Sequence, residues 1–146
     1  MPTVKGSIDI EAPADRIWKW IAEPERYLIW NTDFTEYTLV DEKEGKIGTT
    51  YYMVGEKGGT PIKLDCTITE WVENQRLAFT GTAEWAEAEG VYTIEPKGEK
   101  CTVTFEETLE LKGVTGKIIS ALFLKKAKKK NIEESLQSLK KALEDL

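Results

Sequence analysis

The sequence predicts an α+β fold in which a seven-stranded antiparallel sheet curves around one long C-terminal helix. Three observations carry this expectation. Alternation of apolar and polar residues with period two recurs between Val4 and Leu111, in segments separated by turn residues. One stretch, Ala12–Asn31, breaks the alternation with helical spacing. From Val114 to Leu146 no proline intervenes, and an apolar stripe keeps the helical period.

Val4–Ile10 alternates cleanly and reads as a half-buried strand. In the insert, Pro13 suits a first helical position, where its missing N–H would have no partner. Ile17, Trp18 and Ile21 then share one face, and Pro24 stops this helix and opens a second one towards Trp30. Thr35–Val40 and Ile47–Val54 follow as strands around the turn Asp41–Gly45, and Gly55–Thr60 forms a hairpin tip. Ile62, Leu64, Cys66 and Ile68 alternate with Lys63, Asp65, Thr67 and Thr69 in the clearest amphipathic strand. Arg76–Thr82 points Leu77 and Phe79 one way, and the weaker strand Glu84–Pro96 carries Tyr92 and Ile94 on one face. Lys100–Leu111 aligns Cys101, Val103, Phe105, Glu107, Leu109 and Leu111. Tight turns between consecutive strands make this an antiparallel meander. The last helix has its stripe at Ile118, Leu122, Ile132, Leu136, Leu139 and Leu143, and about 30 residues at 1.5 Å each reach roughly 45 Å, enough to cross a curved sheet. A sheet interrupted early by two short helices and covered by a long one is a layout for wrapping a cavity.

At 146 residues without repeats or low-complexity linkers, one domain over 1–146 is expected, large enough for a core without staples. The net charge of −6 speaks against a general nucleic-acid surface. With no apolar run of 18 residues, no membrane span is expected. Met-Pro-Thr-Val-Lys at the start lacks the apolar stretch of a signal peptide, so a cytoplasmic location is expected. Cys66 and Cys101 lie in apolar strand patterns, as buried reduced thiols or, alternatively, as a disulfide between two strands. Histidine is absent, which removes the commonest general base and metal ligand. No phosphate-binding glycine loop and no metal site can be assembled, so no cofactor is expected.

Order and spacing together resemble the START-like helix-grip superfamily, SRPBCC, close to its polyketide cyclase/dehydrase-like branch. The resemblance rests on Ile10-Glu11-Ala12-Pro13 leading to Ile17-Trp18 and Ile21, then Pro24-Glu25-Arg26-Tyr27 and Trp30. It continues through Ile47-Gly48-Thr49, Ile68-Thr69-Glu70-Trp71 and Arg76-Leu77 to Leu136, Leu139-Lys140 and Leu143-Glu144. It covers essentially the whole chain and implies the helix-grip fold with a cavity between sheet and helix. It does not by itself imply one function, since the fold hosts lipid carriers, cyclases, hydroxylase subunits, hormone receptors and chaperone activators. Catalytic cyclases of this kind are expected to bring histidines or polar relays into the cavity, and this chain has no histidine to offer.

The inward strand faces are Thr49, Tyr51 and Met53; Leu64, Cys66 and Ile68; Leu77 and Phe79; Tyr92 and Ile94; Val103, Phe105 and Glu107. Such a set either fills a solid core or walls a small-molecule pocket. Trp30, Tyr51, Met53, Ile68, Phe79, Tyr92, Phe105 and Glu107 are the candidate ligand-binding residues from the insert and the sheet, joined by Leu122, Lys125 and Lys129 from the last helix. Glu107, the weak catalytic candidate, faces either the cavity or solvent at its mouth. Taken at 100° per residue from Leu136, Lys125 and Lys129 fall within about 20° of the stripe centre. One reading puts a lysine over the cavity, paired with Glu107 or with an acidic ligand. A second leaves all five lysines of Leu124–Lys130 solvated, and a third makes them a membrane-surface patch with Leu122-Phe123-Leu124. Trp20, Trp71 and Trp85 are open between wall, surface and interface. The leading functional reading is a non-catalytic or weakly catalytic carrier of a lipid, polyketide or aromatic compound. The alternatives are a cyclase- or hydrolase-type enzyme using Glu107 with Tyr51 or Tyr92, and a module that regulates a protein partner through the long helix and exposed tryptophans.

Overall fold

The computed structural model describes residues 3–57, 59–112 and 117–145, and the side chains of all of these except 57 and 117–124. Strand β1 (Thr3–Ile10) leads through α1 (Ala14–Ala22) and α2 (Pro24–Trp30) to β2 (Phe34–Asp41). Strands β3 (Thr50–Lys57), β4 (Thr60–Val72), β5 (Arg76–Thr82), β6 (Ala86–Lys97) and β7 (Lys100–Leu111) continue the meander, and α3 (Lys117–Glu144) follows. Every neighbouring pair is antiparallel, in the order β1-β7-β6-β5-β4-β3-β2. The consecutive strands β1 and β2 stand at opposite edges because the helical pair between them carries the chain across the open side. This is the α+β helix-grip architecture expected from the sequence.

The break between α1 and α2 has a local cause. The carbonyl of Trp20 would bond the N–H four residues on, but that residue is Pro24, which has none. The indole Nε1 of Trp30 donates to this carbonyl instead, at 2.7 Å. Trp30 is 2% exposed, so α2 folds back to bury its own last residue against the end of α1.

Helix α3 is held by Ile132, Leu136, Leu139 and Leu143, all buried. At about 1.5–3 kcal/mol per buried side chain, these four supply about 6–12 kcal/mol of gross apolar burial. Their approach to β1 needs Gly6, where a Cβ would stand 2.7 Å from Ile132 Cγ2. At the other end Arg16 Nη2 donates to the Leu143 carbonyl at 2.8 Å, satisfying one of the final helical carbonyls with a cation.

Three expectations change, the first being the hairpin tip Gly55–Thr60, which is shorter than read because Gly55–Lys57 still pair in β3 and β4 starts at Thr60. The strand read as Ile47–Val54 begins only at Thr50, because Gly45, Lys46 and Gly48 all take positive φ and wind the chain into a loop. The disulfide alternative does not form: Cys66 and Cys101 are both buried free thiols. They lie on β4 and β7, three strand spacings apart, roughly 14 Å and well beyond disulfide reach.

Candidate ligand-binding site

Between the sheet, α2 and α3 lies a cavity of about 210 Å³. Its floor is Met53, Leu64, Phe79, Tyr92 and Phe105, inward residues of the five strands β3 to β7. Phe105 stacks on Tyr92 at a centroid distance of 4.2 Å. The empty space comes from small side chains. Ala83, Ala86 and Ala88 line it, and Gly90 continues the same inward face of β6. A Cβ on Gly90 would meet Phe79 Cζ at 2.6 Å and Phe105 Cε1 at 3.0 Å, so the glycine admits the aromatic floor.

The polar groups of the lining come from α2, the turn after it, the sheet and α3. Tyr27 and Tyr92 share a hydroxyl–hydroxyl bond at 3.2 Å, and Asn31 Nδ2 donates to the Tyr27 oxygen at 2.7 Å. Asn131 Nδ2 on α3 donates to Asp33 Oδ2 at 3.0 Å. Glu107 on β7 faces Lys128 on α3, Nζ to Oε1 3.0 Å, with side chains 14% and 25% exposed. The angle of that contact lies outside hydrogen-bonding geometry, and among the described residues Oε1, sealed from solvent, accepts no hydrogen bond. Burial, the leading cause, raises the hydroxyl pKa of both Tyr27 and Tyr92 above the ordinary tyrosine value, so they act as neutral hydrogen-bonding groups.

Of the sequence candidates, Met53, Phe79, Tyr92, Phe105 and Glu107 come together around this cavity. Trp30, Tyr51 and Ile68 are buried in the adjoining core and do not line it. Tyr51 stacks on Tyr37 at 4.5 Å, and Trp30 meets Tyr27 and Tyr92 edge-on. Cys66 beside Tyr51 is a buried thiol, pushed up to about 12 chiefly by desolvation. Leu122 lies in α3, but its side chain is outside the described residues.

The assignment of Lys125 and Lys129 to the cavity is corrected. Both are exposed, and Lys129 lines a separate recess with Glu133 and Gln137 on the other flank of α3. The lysine at the cavity is Lys128, beside Ala127, Asn131, Ile132 and Ser135. At 100° per residue this lining face is centred about 80° round the helix from the middle of the apolar stripe. The stripe itself packs against β1, so the cavity sits beside it rather than beneath it. Among the tryptophans, Trp20 is buried with an unpartnered Nε1, Trp71 packs edge-on to Trp18, and Trp85, 46% exposed, stands at the cavity rim. Only Trp85 is exposed, so the reading of several surface tryptophans does not hold.

Sequence reasoning missed Tyr27 on α2, Asn31 and Asp33 in the α2–β2 turn, Ala83 just after β5 and the alanines of β6. The alanines had a signal: a strand whose inward face reads Ala86, Ala88, Gly90 is too small to fill a core.

The profile of the family described as polyketide cyclase / dehydrase and lipid transport matches residues 1–144. The chain belongs to this family. Similar solved structures agree on the fold. A START superfamily protein from Mycobacterium smegmatis has a TM-score of 0.84 at 17% identity, over 98% of this chain and 97% of that one. A protein from Thermus thermophilus gives 0.82 at 20% identity, over 96% and 95%. The Zhui aromatase/cyclase from a Streptomyces species gives 0.83 at 13% identity, over 98% and 93%. A comparison with curated proteins finds no match. Among the described residues no helix is long and apolar enough to cross a membrane, and no group of three or more His, Cys, Asp or Glu is placed to hold a metal ion. The family supports a ligand-binding or cyclase-type role, and the choice within it rests on the site.

Proposed function

We propose that this protein binds and carries a hydrophobic small molecule between its sheet and α3. The observation that supports this most is the mainly apolar cavity of about 210 Å³, held open by alanines and lined by a limited set of polar groups. A cavity of about 150 Å³ takes up benzene, so this one suits a bicyclic aromatic body or an acyl chain of similar bulk. Larger ligands would project past Trp85 at the rim. Native mass spectrometry of the protein from its own cells should find a bound compound of this kind. Ala88→Phe fills the space from within the wall, and the folded variant should lose the compound. A variant that folds and still retains it would show that the ligand sits elsewhere.

A second reading, a cyclase- or hydrolase-type enzyme, is favoured by Glu107, whose Oε1 carries no hydrogen bond beside the Tyr27–Tyr92 hydroxyls. There Glu107 would serve as general acid or base and Tyr92 would orient the substrate. Tyr51, outside the cavity lining, has no part in it. Unchanged turnover of a transformed compound by Glu107→Gln would remove the residue from the mechanism.

A further inference from the structure

The polar lining of the cavity is incomplete in a specific way. A carboxylate offers about four lone-pair sites. Among the described residues Glu107 receives no hydrogen bond; its Oε1 is sealed beside Lys128, whose ionic contact is off line, so Oε2 is the oxygen left for a ligand. The tyrosine pair has the opposite deficit. Asn31 already donates to Tyr27, and the two hydroxyls share a single bond, so one of their two hydrogens has no partner whichever oxygen donates. Both tyrosines and Glu107 line the same cavity, and register places them close together. Tyr92 pairs with Phe105, and Glu107, two residues on, faces the same way opposite Gly90.

An acceptor short of donors therefore stands near a donor short of an acceptor. A hydroxyl satisfies both, since it gives one hydrogen and accepts another. A carboxylate supplies acceptors only. It would also enter a lining whose charged members, Asp33, Glu107 and Lys128, sum to one net negative charge. Lys128 could serve such an anion only by sharing an ammonium that already balances Glu107.

We infer that the site selects a neutral ligand whose hydroxyl donates to Glu107 and accepts from the Tyr27–Tyr92 pair, and that it discriminates against carboxylates. This rests on the cavity reading proposed above and makes Glu107 the specificity-determining residue. Lys128 is its counter-charge and not the anchor for an acidic ligand.

A matched set with one bicyclic body tests this: 2-naphthol, 2-methoxynaphthalene and 2-naphthoate, titrated against the full chain by calorimetry near neutral pH. A hydrogen bond to a charged group is worth at least about tenfold in affinity, so naphthol should bind about ten times more tightly than the methyl ether. Naphthoate should bind more weakly still. Glu107→Gln keeps the side-chain shape and an acceptor oxygen while removing the charge, and should recover naphthoate binding relative to naphthol. Glu107→Leu should erase the difference between naphthol and its ether. Naphthoate binding as tightly as naphthol in the wild type would overturn the inference and leave the cavity reading standing. Binding of all three that survives Ala88→Phe, or no binding of any, would overturn the cavity reading itself.

Discussion

Replacing Gly90 by alanine adds one methyl group where the floor of the cavity is tightest. That Cβ would lie 2.6 Å from Phe79 Cζ, 2.7 Å from Cε1 and 3.0 Å from Phe105 Cε1. Two effects oppose each other. Restricting the unfolded chain favours alanine by about 0.4–1 kcal/mol. Overpacking a filled core costs about 1–3 kcal/mol. Phe79 cannot move without disturbing Phe105, whose ring lies 6.4 Å away nearly parallel, or without swinging into the cavity. The overpacking term wins, and the net loss should be about 1–2 kcal/mol, or about 3–6 °C in Tm for a chain of this size. Urea unfolding followed by tryptophan fluorescence measures it, with an unchanged slope marking a native-state effect. The cavity adds a second readout, because a Phe79 ring pushed inward takes up ligand space and should weaken 2-naphthol binding. A variant as stable as the wild type, with unaltered naphthol affinity, would refute the claim that Gly90 is required by the aromatic floor.

Trp30→Phe should cost about 2–4 kcal/mol in urea unfolding, from the lost volume and from a Trp20 carbonyl that Pro24 cannot satisfy; a cost below about 1 kcal/mol would show that this bond does not hold α2 to α1. Alkaline stability should follow the tyrosines. Burial, the largest cause in each case, holds Tyr27, Tyr37, Tyr51 and Tyr92 protonated above the ordinary range, whereas in the unfolded chain they ionise near about 10. The native state then keeps protons that the unfolded state loses, so stability is full below about pH 10 and declines as pH rises beyond it. Tyrosinate absorbance should accordingly rise for these four only together with unfolding, and their ionisation in a protein with native circular dichroism would contradict the burial account.

The strand pattern of this chain was legible because it depends on local alternation. Lys100–Leu111 is a strand from end to end as read, and Cys101, Val103 and Phe105 face inward because period two allows a central strand no other choice. The helical insert was legible for the same kind of reason, with Pro24 marking the break by covalent structure. The family resemblance, resting on the order of such signals, pointed to the same architecture. Elements with mixed signals slipped, as at Ile47, where positive φ at three nearby residues delayed the strand.

What periodicity could not place was the cavity relative to the helix. An apolar stripe states which face of α3 is buried but not what lies beside that face, and the close approach over Gly6 assigned the stripe to β1. The space beside it fell to the flank carrying Lys128 and Asn131, Lys128 being one residue, or about 100° of helix, from the Lys129 that the stripe suggested. Tyr27 on α2 and Asp33 in the turn after it reach the same space and meet Tyr92 and Asn131, 65 and 98 residues away. Such meetings are decided by how the sheet curves and how three helices share its concave face. Those are sums over many contacts distant in sequence, whereas strand and helix identity is set by neighbours.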